Sequence, residues 1–483
     1  MIEGVMLLLP MGIAFIFGEK DYIWFIITAV PSMGVGALMY FLVRPEKKNM
    51  HAVDGFLTVA FAWIVMSAVA AVPFVISGTI PNFIDALFET VSGFTTTGCT
   101  ALTDVEALSQ SMLFWRSFTN WVGGMGILVF MLAISPVAGG GSAMHMLRAE
   151  SPGPVTEKIS PKISTTAKYL YLIYIGFTVI EIIALSISGM SVFHSSLISF
   201  ATMATGGFSY LNTSIAAMTY AQQSIITVFM VLAGVNFSLY YLVLTGKGIA
   251  ALKNEEFRWY LILYFGSVAV ITLNVCLSVT GQFHSVGETI HYVLFTMASV
   301  ITTTGFSVCD INGWPWFAKN LIMLIMFFGA CAGSTAGGIK LSRIIIALKH
   351  VKNRIVNLFH PRSVGIVRFG GKDVGEDVIK SVSFYILLFV VLFAVSMVIV
   401  SFDPLCDFTT AFSAVDTTIS NNGIGLGAAG GSFSVFSWYS KIVFIIDMLI
   451  GRLEIFPIVV FFGWLLSPVS KGAKAIRKRA RAR

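Results

Sequence analysis

The hydrophobic residues of the chain form runs of about twenty, the length of a helix that crosses ~30 Å of hydrocarbon. One order recurs four times: a long run, a short apolar segment of roughly a dozen residues, a polar cluster rich in Gly and Thr, and a second long run. This order predicts four units of the same design. The predicted long runs are residues 55–77 and 113–137, 169–188 and 224–245, 259–280 and 316–338, and 378–402 and 438–466.

The short segment of each unit cannot cross a membrane as a helix. Such a segment must return to the side from which it entered, and non-helical backbone survives at membrane depth only inside protein or beside water. We therefore expect four re-entrant elements that meet at one central axis. The predicted short segments are residues 82–94, 193–203, 286–301 and 407–419.

Two further apolar runs precede the first unit, at residues 1–17 and 22–43. The first run has no basic stretch and no clear cleavage site, so we interpret it as a retained helix rather than a signal peptide. The pattern predicts an all-α polytopic membrane protein with ten crossings. Four membrane-pore-membrane repeats surround one pore, together with an N-terminal helix hairpin. The predicted divisions are the hairpin at 1–50, the repeats at 51–145, 146–250, 251–350 and 351–470, and a basic tail at 471–483.

Composition and charge support this assignment and predict its orientation. Hydrophobic residues make up 56% of the 483 and charged residues only 11%, far below the ~25% usual in soluble domains. The net charge of +7 would suit nucleic acid, but 26 of the 31 Lys and Arg residues lie in five segments near the ends of predicted spans. The positive-inside rule assigns those segments to the cytoplasm, so both termini are expected there and nucleic acid is not an expected partner. The segments are 44–48, 148–168, 247–258, 340–380 and 471–483.

Directly after each short segment lies a polar cluster with a Gly in its fourth position. These glycines are separated by 109, 98 and 118 residues, as expected of a diverged internal repeat of about a hundred residues. One such cluster alone is usually a turn, but four in the same register indicate a shared site. The clusters are Thr95-Thr96-Thr97-Gly98, Ala204-Thr205-Gly206-Gly207, Thr302-Thr303-Thr304-Gly305 and Ser420-Asn421-Asn422-Gly423.

The four clusters have the chemistry of a cation filter made of backbone carbonyls. Such a filter replaces the hydration shell of the ion with a ring of carbonyl oxygens, and Gly supplies the backbone freedom to direct them inward. Hydroxyl and amide side chains can support the ring without adding a full charge. A short helix that ends at the ring directs the negative end of its dipole at the ion. The predicted ion-binding residues are Thr96, Thr97, Gly98, Thr205, Gly206, Gly207, Thr303, Thr304, Gly305, Asn421, Asn422 and Gly423.

Two features of the later spans are open to a structural and a functional interpretation. The run 329–338 has a Gly at every fourth position, which is typical of a face on which another helix packs closely. The same small residues could instead break the span, and a broken span must line a cavity.

Arg452 lies in the middle of the last span, either in a buried ion pair or as a cation that faces water. Neither Asp447 nor Glu454 is four residues away, so its partner must lie on another element.

Four stretches of the chain match the motifs of a known family. They are Ser92-Gly93-Phe94-Thr95-Thr96-Thr97-Gly98, Ile301-Thr302-Thr303-Thr304-Gly305-Phe306, Gly329-Ala330-Cys331-Ala332-Gly333-Ser334-Thr335-Ala336-Gly337-Gly338-Ile339-Lys340 and Gly451-Arg452-Leu453-Glu454-Ile455-Phe456. With these motifs the chain resembles the bacterial potassium uptake subunits of the Trk/Ktr/HKT superfamily, most closely the TrkH/TrkG type. The resemblance extends over the whole length, including the N-terminal hairpin, and the glycine-rich stretch is its most specific part.

The resemblance implies potassium uptake across the bacterial inner membrane, with K⁺ as the transported ion, no organic cofactor and no enzymatic activity. It also implies a homodimer with one pore per subunit, contact with membrane lipid, and a cytosolic nucleotide-binding regulatory subunit similar to TrkA. In this family the glycine-rich segment obstructs the pore below the filter and moves on opening, and the arginine acts as an electrostatic barrier. The corresponding gate residues are Gly333, Ser334, Thr335, Ala336, Gly337 and Arg452.

The sequence is also compatible with other functions. The second and fourth clusters depart from the Thr-rich pattern, which leaves open a poorly selective K⁺/Na⁺ transporter or a Na⁺-coupled one of the same architecture. An intramembrane enzyme would need a catalytic motif, and the sequence contains neither HExxH nor GxSxG. A secondary transporter would need inverted repeats, whereas the basic segments predict that all four units begin on the cytoplasmic side.

Overall fold

Helices dominate the structure, a computed structural model. The only strands in the part of the chain that it describes are β1 (Arg368–Phe369) and β2 (Lys372–Asp373), which form a short antiparallel hairpin. The predicted all-α class is therefore confirmed. The predicted basic tail and the end of the predicted span 113–137 lie outside the described residues. The described residues are 1–42, 52–126, 163–278, 283, 285–362 and 365–465.

The N-terminal helices form the predicted hairpin. The helices α1 (Ile2–Met6) and α2 (Leu8–Phe17) are separated only by Leu7, and α3 (Tyr22–Leu42) packs against both. Gly18 ends α2 with a φ of 69°, a left-handed conformation that Gly adopts without strain. Many large apolar side chains of α3 are exposed, as expected of a helix that faces lipid.

The first two units each contain a short helix packed between longer ones. In the first unit the chain is described up to residue 126. In the second, the predicted helix over 224–245 is instead two helices that meet at an angle of 92°. The helices are α4 (Ala52–Ile76), α5 (Phe83–Phe94) and α6 (Gln110–Gly124), then α7 (Ile163–Ile187), α8 (Val192–Met203), α9 (Tyr220–Ala233), α10 (Phe237–Leu244) and α11 (Gly248–Leu252).

A capping residue accounts for the bend between α9 and α10. Gly234 follows the last residue of α9, and the side chain of Asn236 accepts the backbone N–H of Ser238 at 2.9 Å. This bond satisfies a donor at the start of α10, so the new helix begins there in a new direction. The hydrophobic run continues through the break, and for that reason the run alone predicted one helix.

The last two units also contain interrupted spans. Residues 327–340, which we call the inner loop, are non-helical and separate α14 from α15. The predicted helix over 438–466 breaks after Arg452, where Glu454 and Ile455 have φ values of 56° and 69°. The helices are α12 (Glu255–Leu277), α13 (Val286–Ile301), α14 (Trp316–Met326) and α15 (Leu341–Phe359), then α16 (Glu376–Val400), α17 (Phe408–Ile419), α18 (Trp438–Arg452) and α19 (Phe456–Leu465).

The four short helices α5, α8, α13 and α17 begin within one residue of their predicted positions and end at them. They contain 12, 12, 16 and 12 residues. At 1.5 Å per residue they are about 18–24 Å long, too short to cross a bilayer. Each begins at a polar N-cap whose side chain accepts a backbone N–H of the first turn. The N-caps are Asn82, Ser191, Ser285 and Asp407.

The four units close into a ring around the short helices. In each unit, the helix after the polar cluster packs against its own short helix and against the short helix of the next unit. Thus α6 contacts α5 and α8, α9 contacts α8 and α13, and α14 contacts α13 and α17. The ring closes because α18 contacts both α17 and α5. The predicted arrangement of four repeats about one axis is therefore observed.

Among the described residues, five helices are long and apolar enough to cross a membrane, and the bent pair α9–α10 would make a sixth. The five are α3, α4, α7, α12 and α16. The helices α14 and α18 contain only 11 and 15 residues before the chain leaves the helical conformation. The second span is thus broken in each of the last three units. The break in the third unit is one of the two interpretations that the sequence allowed, whereas those in the second and fourth units were not predicted.

Candidate functional site

The four polar clusters share one backbone conformation. In each, the fourth-position Gly has a φ between 65° and 87°, and the second residue has a φ between 52° and 56°. A residue with a Cβ enters this left-handed region at a cost of about 1–2 kcal/mol, so its recurrence at four equivalent positions indicates a functional constraint. The third residue keeps a negative φ, so the sign of φ alternates from the second to the fourth residue of each cluster. The second residues are Thr96, Thr205, Thr303 and Asn421.

Equivalent hydrogen bonds attach each cluster to its short helix. The backbone N–H of the third residue donates to the carbonyl five residues earlier, at 2.8–2.9 Å in every unit. Each cluster is thereby fixed at the carboxyl end of its helix, where the helix dipole is negative. The four bonds are Thr97 to Ser92, Gly206 to Ala201, Thr304 to Ser299 and Asn422 to Thr417.

The fourth-position glycines bring the clusters together in a closed ring. A Cβ added to Gly305 would lie 2.6 Å from the carbonyl oxygen of Asn422, closer than real Cβ atoms approach. At all four glycines the obstruction is a backbone carbonyl of a neighbouring cluster, and the fourth cluster meets the first. Only glycine allows the backbones to approach this closely. The neighbours are Gly98 with Gly206, Gly207 with Thr304, Gly305 with Asn422, and Gly423 with Thr97.

The side chains of the first and third clusters support their own cluster. The hydroxyls of Thr95 and Thr97 lie 2.8 Å apart, and those of Thr302 and Thr304 lie 2.7 Å apart. Thr95 and Thr302 also donate to carbonyls one turn back in their short helices. All these side chains are fully buried. The predicted role of hydroxyl groups as uncharged supports agrees with this geometry.

The fourth cluster binds its neighbours instead. Asn421 Nδ2 donates to Thr97 Oγ1 and to the carbonyl of Met448, both at 2.9 Å. Asn422 Nδ2 donates to the carbonyl of Val300 on α13 at 2.8 Å. The Asn side chains therefore join the fourth cluster to the first cluster and to the third short helix. This cluster departs from the Thr-rich pattern in its side chains but not in its backbone.

A buried ion pair, which the sequence analysis missed, lies beside the ring. Arg116 Nε is 2.6 Å from Glu89 Oε1, and both side chains are almost inaccessible. The guanidinium also donates to the Ser209 carbonyl at 2.8 Å and lies 3.5 Å from the centre of the Phe208 ring. Glu89 accepts the N–H of Ala101 at 2.8 Å. The pair joins the segments that follow the first two clusters, and an Arg inside a predicted apolar span was the signal for it.

The inner loop contacts the ring at its C-terminal part. The N–H of Gly337 donates to Thr303 Oγ1 at 2.7 Å, and a Cβ on Gly337 would lie 2.8 Å from Asn421 Cβ. We call this face of the ring, next to the ends of the short helices, its inner side. Gly333, in the middle of the loop, contacts a different element: its carbonyl accepts the N–H of Phe237 at 3.0 Å. The segment is therefore a broken span rather than a helix-packing face.

Arg452 joins three elements on the inner side of the ring. Its guanidinium donates to Thr96 Oγ1 at 3.2 Å and to the Thr335 carbonyl at 2.8 Å. It also donates to the carbonyls of Gly123 and of Gly124, the latter at 2.6 Å. The first cluster, the inner loop and the end of α6 thus share one cation. As predicted, these partners lie on other elements.

The acidic residues near Arg452 in sequence bind elsewhere. Glu454 forms a buried ion pair with Arg343 of α15, and Asp447 accepts a hydrogen bond from Ser396 at 2.7 Å.

The twelve predicted ion-binding residues are all in the ring. Of the predicted gate residues, Gly337 and Arg452 bond to the ring directly. Thr335 is linked to the ring through Arg452. The hydroxyl of Ser334 instead donates to the Cys331 carbonyl within the loop.

Comparison with known proteins gives consistent matches over nearly the whole chain. Residues 24–470 match the family model described as TrkH, a cation transport protein. The Trk system potassium uptake protein TrkH of Escherichia coli strain K12 is 35% identical over 461 residues, with 94% of each chain covered. TrkG of the same organism is 34% identical, with 94% of this chain and 93% of TrkG covered. These relatives are named as uptake proteins rather than enzymes.

The fold of the chain also matches a solved structure. The crystal structure of the potassium transporter TrkH from Vibrio parahaemolyticus superposes with a TM-score of 0.84 at 32% sequence identity. The superposition covers 96% of each chain. The fold described here is therefore similar to that of a potassium transporter from end to end.

Proposed function

Because the chain belongs to the TrkH family of cation transport proteins, we propose that it takes up K⁺ along the axis of the four clusters. The observation that supports this most strongly is the ring itself. Its backbones are in contact at four glycines, and its second residues adopt the same strained conformation. A ring of inward carbonyl oxygens can replace the hydration shell of K⁺. The twelve predicted ion-binding residues then contribute the carbonyl oxygens, and the glycines among them provide the backbone freedom that the ring needs.

In this proposal the inner loop is the gate. Its C-terminal part lies against Thr303 and Asn421 on the inner side of the ring. An ion leaving the ring there would meet Thr335, Ala336 and Gly337. Arg452 adds a positive charge at the same place, hydrogen-bonded to the loop and to the ring. A cation at that point repels a second cation and raises the barrier to passage until the loop moves.

The surroundings of the transporter follow from the same proposal. The protein lies in the inner membrane of a bacterium with both termini in the cytoplasm, which the clustering of Lys and Arg supports. It works as a homodimer with one pore per subunit. A cytosolic nucleotide-binding subunit similar to TrkA controls it, and the basic cytoplasmic segment 340–380 is the expected contact. The relatives are named as parts of a Trk system, which supports a multi-component assembly.

Ion flux into proteoliposomes tests the proposed function. We expect K⁺ entry down a gradient, and we expect deletion of residues 332–336 to increase it because the obstruction is removed. A stable, dimeric deletion variant with the flux of the intact protein would contradict the gate. Equal entry of K⁺ and Na⁺ would favour the second candidate, a poorly selective transporter, which the Asn residues of the fourth cluster suggest. Absence of K⁺ flux from correctly inserted protein would contradict both.

A further inference from the structure

Two backbone amides, one on each side of residues 333–341, donate to the same carboxylate oxygen. Glu256 Oε1 accepts the backbone N–H of Ala332 at 2.8 Å and that of Ser342 at 3.0 Å. Residues 333–337, the predicted gate residues of the inner loop, all lie between these two amides. The Glu256 side chain is itself buried, with 5% of the residue exposed. Charge-assisted bonds of this kind are stronger than neutral ones.

Glu256 also supplies what α15 lacks at its start. Lys340 precedes that helix, and its side chain makes no capping hydrogen bond. The second N–H of the helix, on Ser342, is instead satisfied by Glu256, which lies on α12 at the start of the same unit. A carboxylate at a helix N-terminus is favoured by the helix dipole. Glu256 therefore fixes both the start of α15 and the point where the inner loop begins to turn toward the ring.

The position of Glu256 is determined by the first turn of α12. Asn254 caps that helix by accepting the N–H of Phe257 at 3.0 Å. The two glutamates that follow Asn254 bind different parts of the protein. Glu255 pairs with Lys349 and accepts the N–H of Gly370, in the β1–β2 turn, at 2.9 Å. Glu256 alone is directed at the inner loop, so the neighbouring Glu255 is a natural control.

The loop also has space to move. Its N-terminal part is bonded to the break between α9 and α10, where Cys331 donates to the Gly234 carbonyl at 3.1 Å. A cavity of about 290 Å³ lies directly beside these contacts. Its lining includes Asn236, Glu256, Ala332 and Ser342. Loss of the two Glu256 bonds would release the loop next to open space rather than against packed side chains.

From these contacts we propose that Glu256 is a positioning residue that holds the inner loop in its closed position. It acts through the two backbone amides and does not contact the ion. The inference rests on the proposed function of the inner loop as a gate. It adds the residue on α12 that keeps the gate in place.

Three substitutions distinguish the length of the Glu256 side chain from its charge. Glu256→Ala removes both bonds, and we expect the basal K⁺ flux without any partner to rise about tenfold, the effect of ~1.4 kcal/mol on a two-state equilibrium. Glu256→Asp keeps the charge but withdraws the oxygen by about 1.5 Å, so it is expected to raise the flux as well. Glu256→Gln keeps an acceptor at the same reach but loses the charge, so its bonds are weaker and the flux should rise by about two- to threefold, less than in Glu256→Ala or Glu256→Asp. If only the charge of Glu256 mattered, Glu256→Gln would raise the basal flux more than Glu256→Asp.

Hydrogen exchange gives a readout that does not depend on flux. Amides in the segment 332–342 should exchange faster in Glu256→Ala and Glu256→Asp than in the original protein. Glu255→Ala should leave both that exchange and the basal flux unchanged. If the Glu256→Ala variant does not insert into the membrane, the difference in flux and in exchange between Glu256→Asp and Glu256→Gln still tests the proposal.

The outcomes are distinguishable. Folded Ala and Asp variants with normal exchange and normal flux overturn the proposal. Faster exchange with unchanged flux also overturns it, because the position of the loop would then not limit conduction. Absence of K⁺ flux in the original protein contradicts the proposed function itself, and the role of Glu256 as a gate anchor fails with it.

Discussion

The ring and the region on its inner side derive from the same fourfold repeat but differ in how closely they keep it. In the ring, all four clusters have the same two positive φ values and the same hydrogen bond to their short helices. On the inner side, α9 bends by 92° into α10, residues 327–340 leave the helical conformation entirely, and α18 breaks at 453–455. The repeat is preserved where the backbones meet and is lost directly beneath.

The difference has a physical reason. An ion on an axis needs oxygens at similar distances from several sides, so the backbone geometry must be equal in every unit. Closing a path requires only one element to cross it. One unit can then diverge into a loop, and contacts from that unit and from the others can hold the loop in place. Arg452, Glu256 and the α9–α10 break belong to three different units and all bond to the inner loop.

The largest expected effect comes from breaking the ring at Gly305. The Gly305→Ser variant places a Cβ 2.6 Å from the Asn422 carbonyl oxygen at a φ of 87°, so the third and fourth clusters must separate. We expect K⁺ flux or K⁺/Na⁺ discrimination to fall by about tenfold or more, the effect of ~1.4 kcal/mol or more at the ring. Flux measurements with both ions test this. Gly266→Ser is the matched control, because no atom lies within 4 Å of the added Cβ on α12.

A smaller effect is expected on the inner side. Arg452→Ala removes the cation, and the K⁺ flux per folded protein should rise. A unit charge ~6 Å from an ion repels it by roughly 3 kcal/mol at an effective dielectric of ~20. Arg452→Lys should keep most of the barrier because it keeps the charge. Normal or lowered flux for Arg452→Ala, together with poor thermal stability, would make the arginine a structural anchor of α6 and the loop instead.

The smallest effect concerns the side chains within the ring. Asn422→Leu removes the amide bond that joins the fourth cluster to Val300, whose carbonyl still accepts the N–H of Thr303 at 3.1 Å. We expect about 1–3 kcal/mol of lost stability, because the bond is lost and a branched side chain must also fit a fully buried site. Thr304→Val removes one hydroxyl bond within a single cluster, and about 0.5–1.5 kcal/mol is expected. Thermal unfolding in detergent measures both. An equal loss in the two variants would contradict the view that the fourth cluster alone joins its neighbours.

The ring was predictable from sequence because its determinants are local. The short helices, their N-caps and the fourth-position glycines all lie within about twenty residues of one another in each unit. The breaks at Gly234 and after Arg452 were less visible, since apolar residues continue through both. Gly234 with Asn236 was a usable capping signal, whereas nothing in Leu453-Glu454-Ile455 indicates two residues with positive φ.

The sequence could signal that Arg116 is buried, but it could not identify the partners of Arg116 or of Glu256. The Arg116 ion pair joins residues 27 apart, and the bond from Ala332 to Glu256 joins residues 76 apart. Partners at such separations are determined by how the units pack around the ring. Composition and periodicity give no information about that packing until the fold is known.

The position of a bound ion tests the central claim most directly. Rb⁺ or Tl⁺ has the charge of K⁺ and scatters strongly, so a structure in either ion locates its sites by anomalous difference density. The account predicts density on the axis of the ring, within bonding distance of backbone carbonyls from all four clusters. Density absent from that axis, or present only at side chains of one unit, would contradict a path formed by the four clusters together.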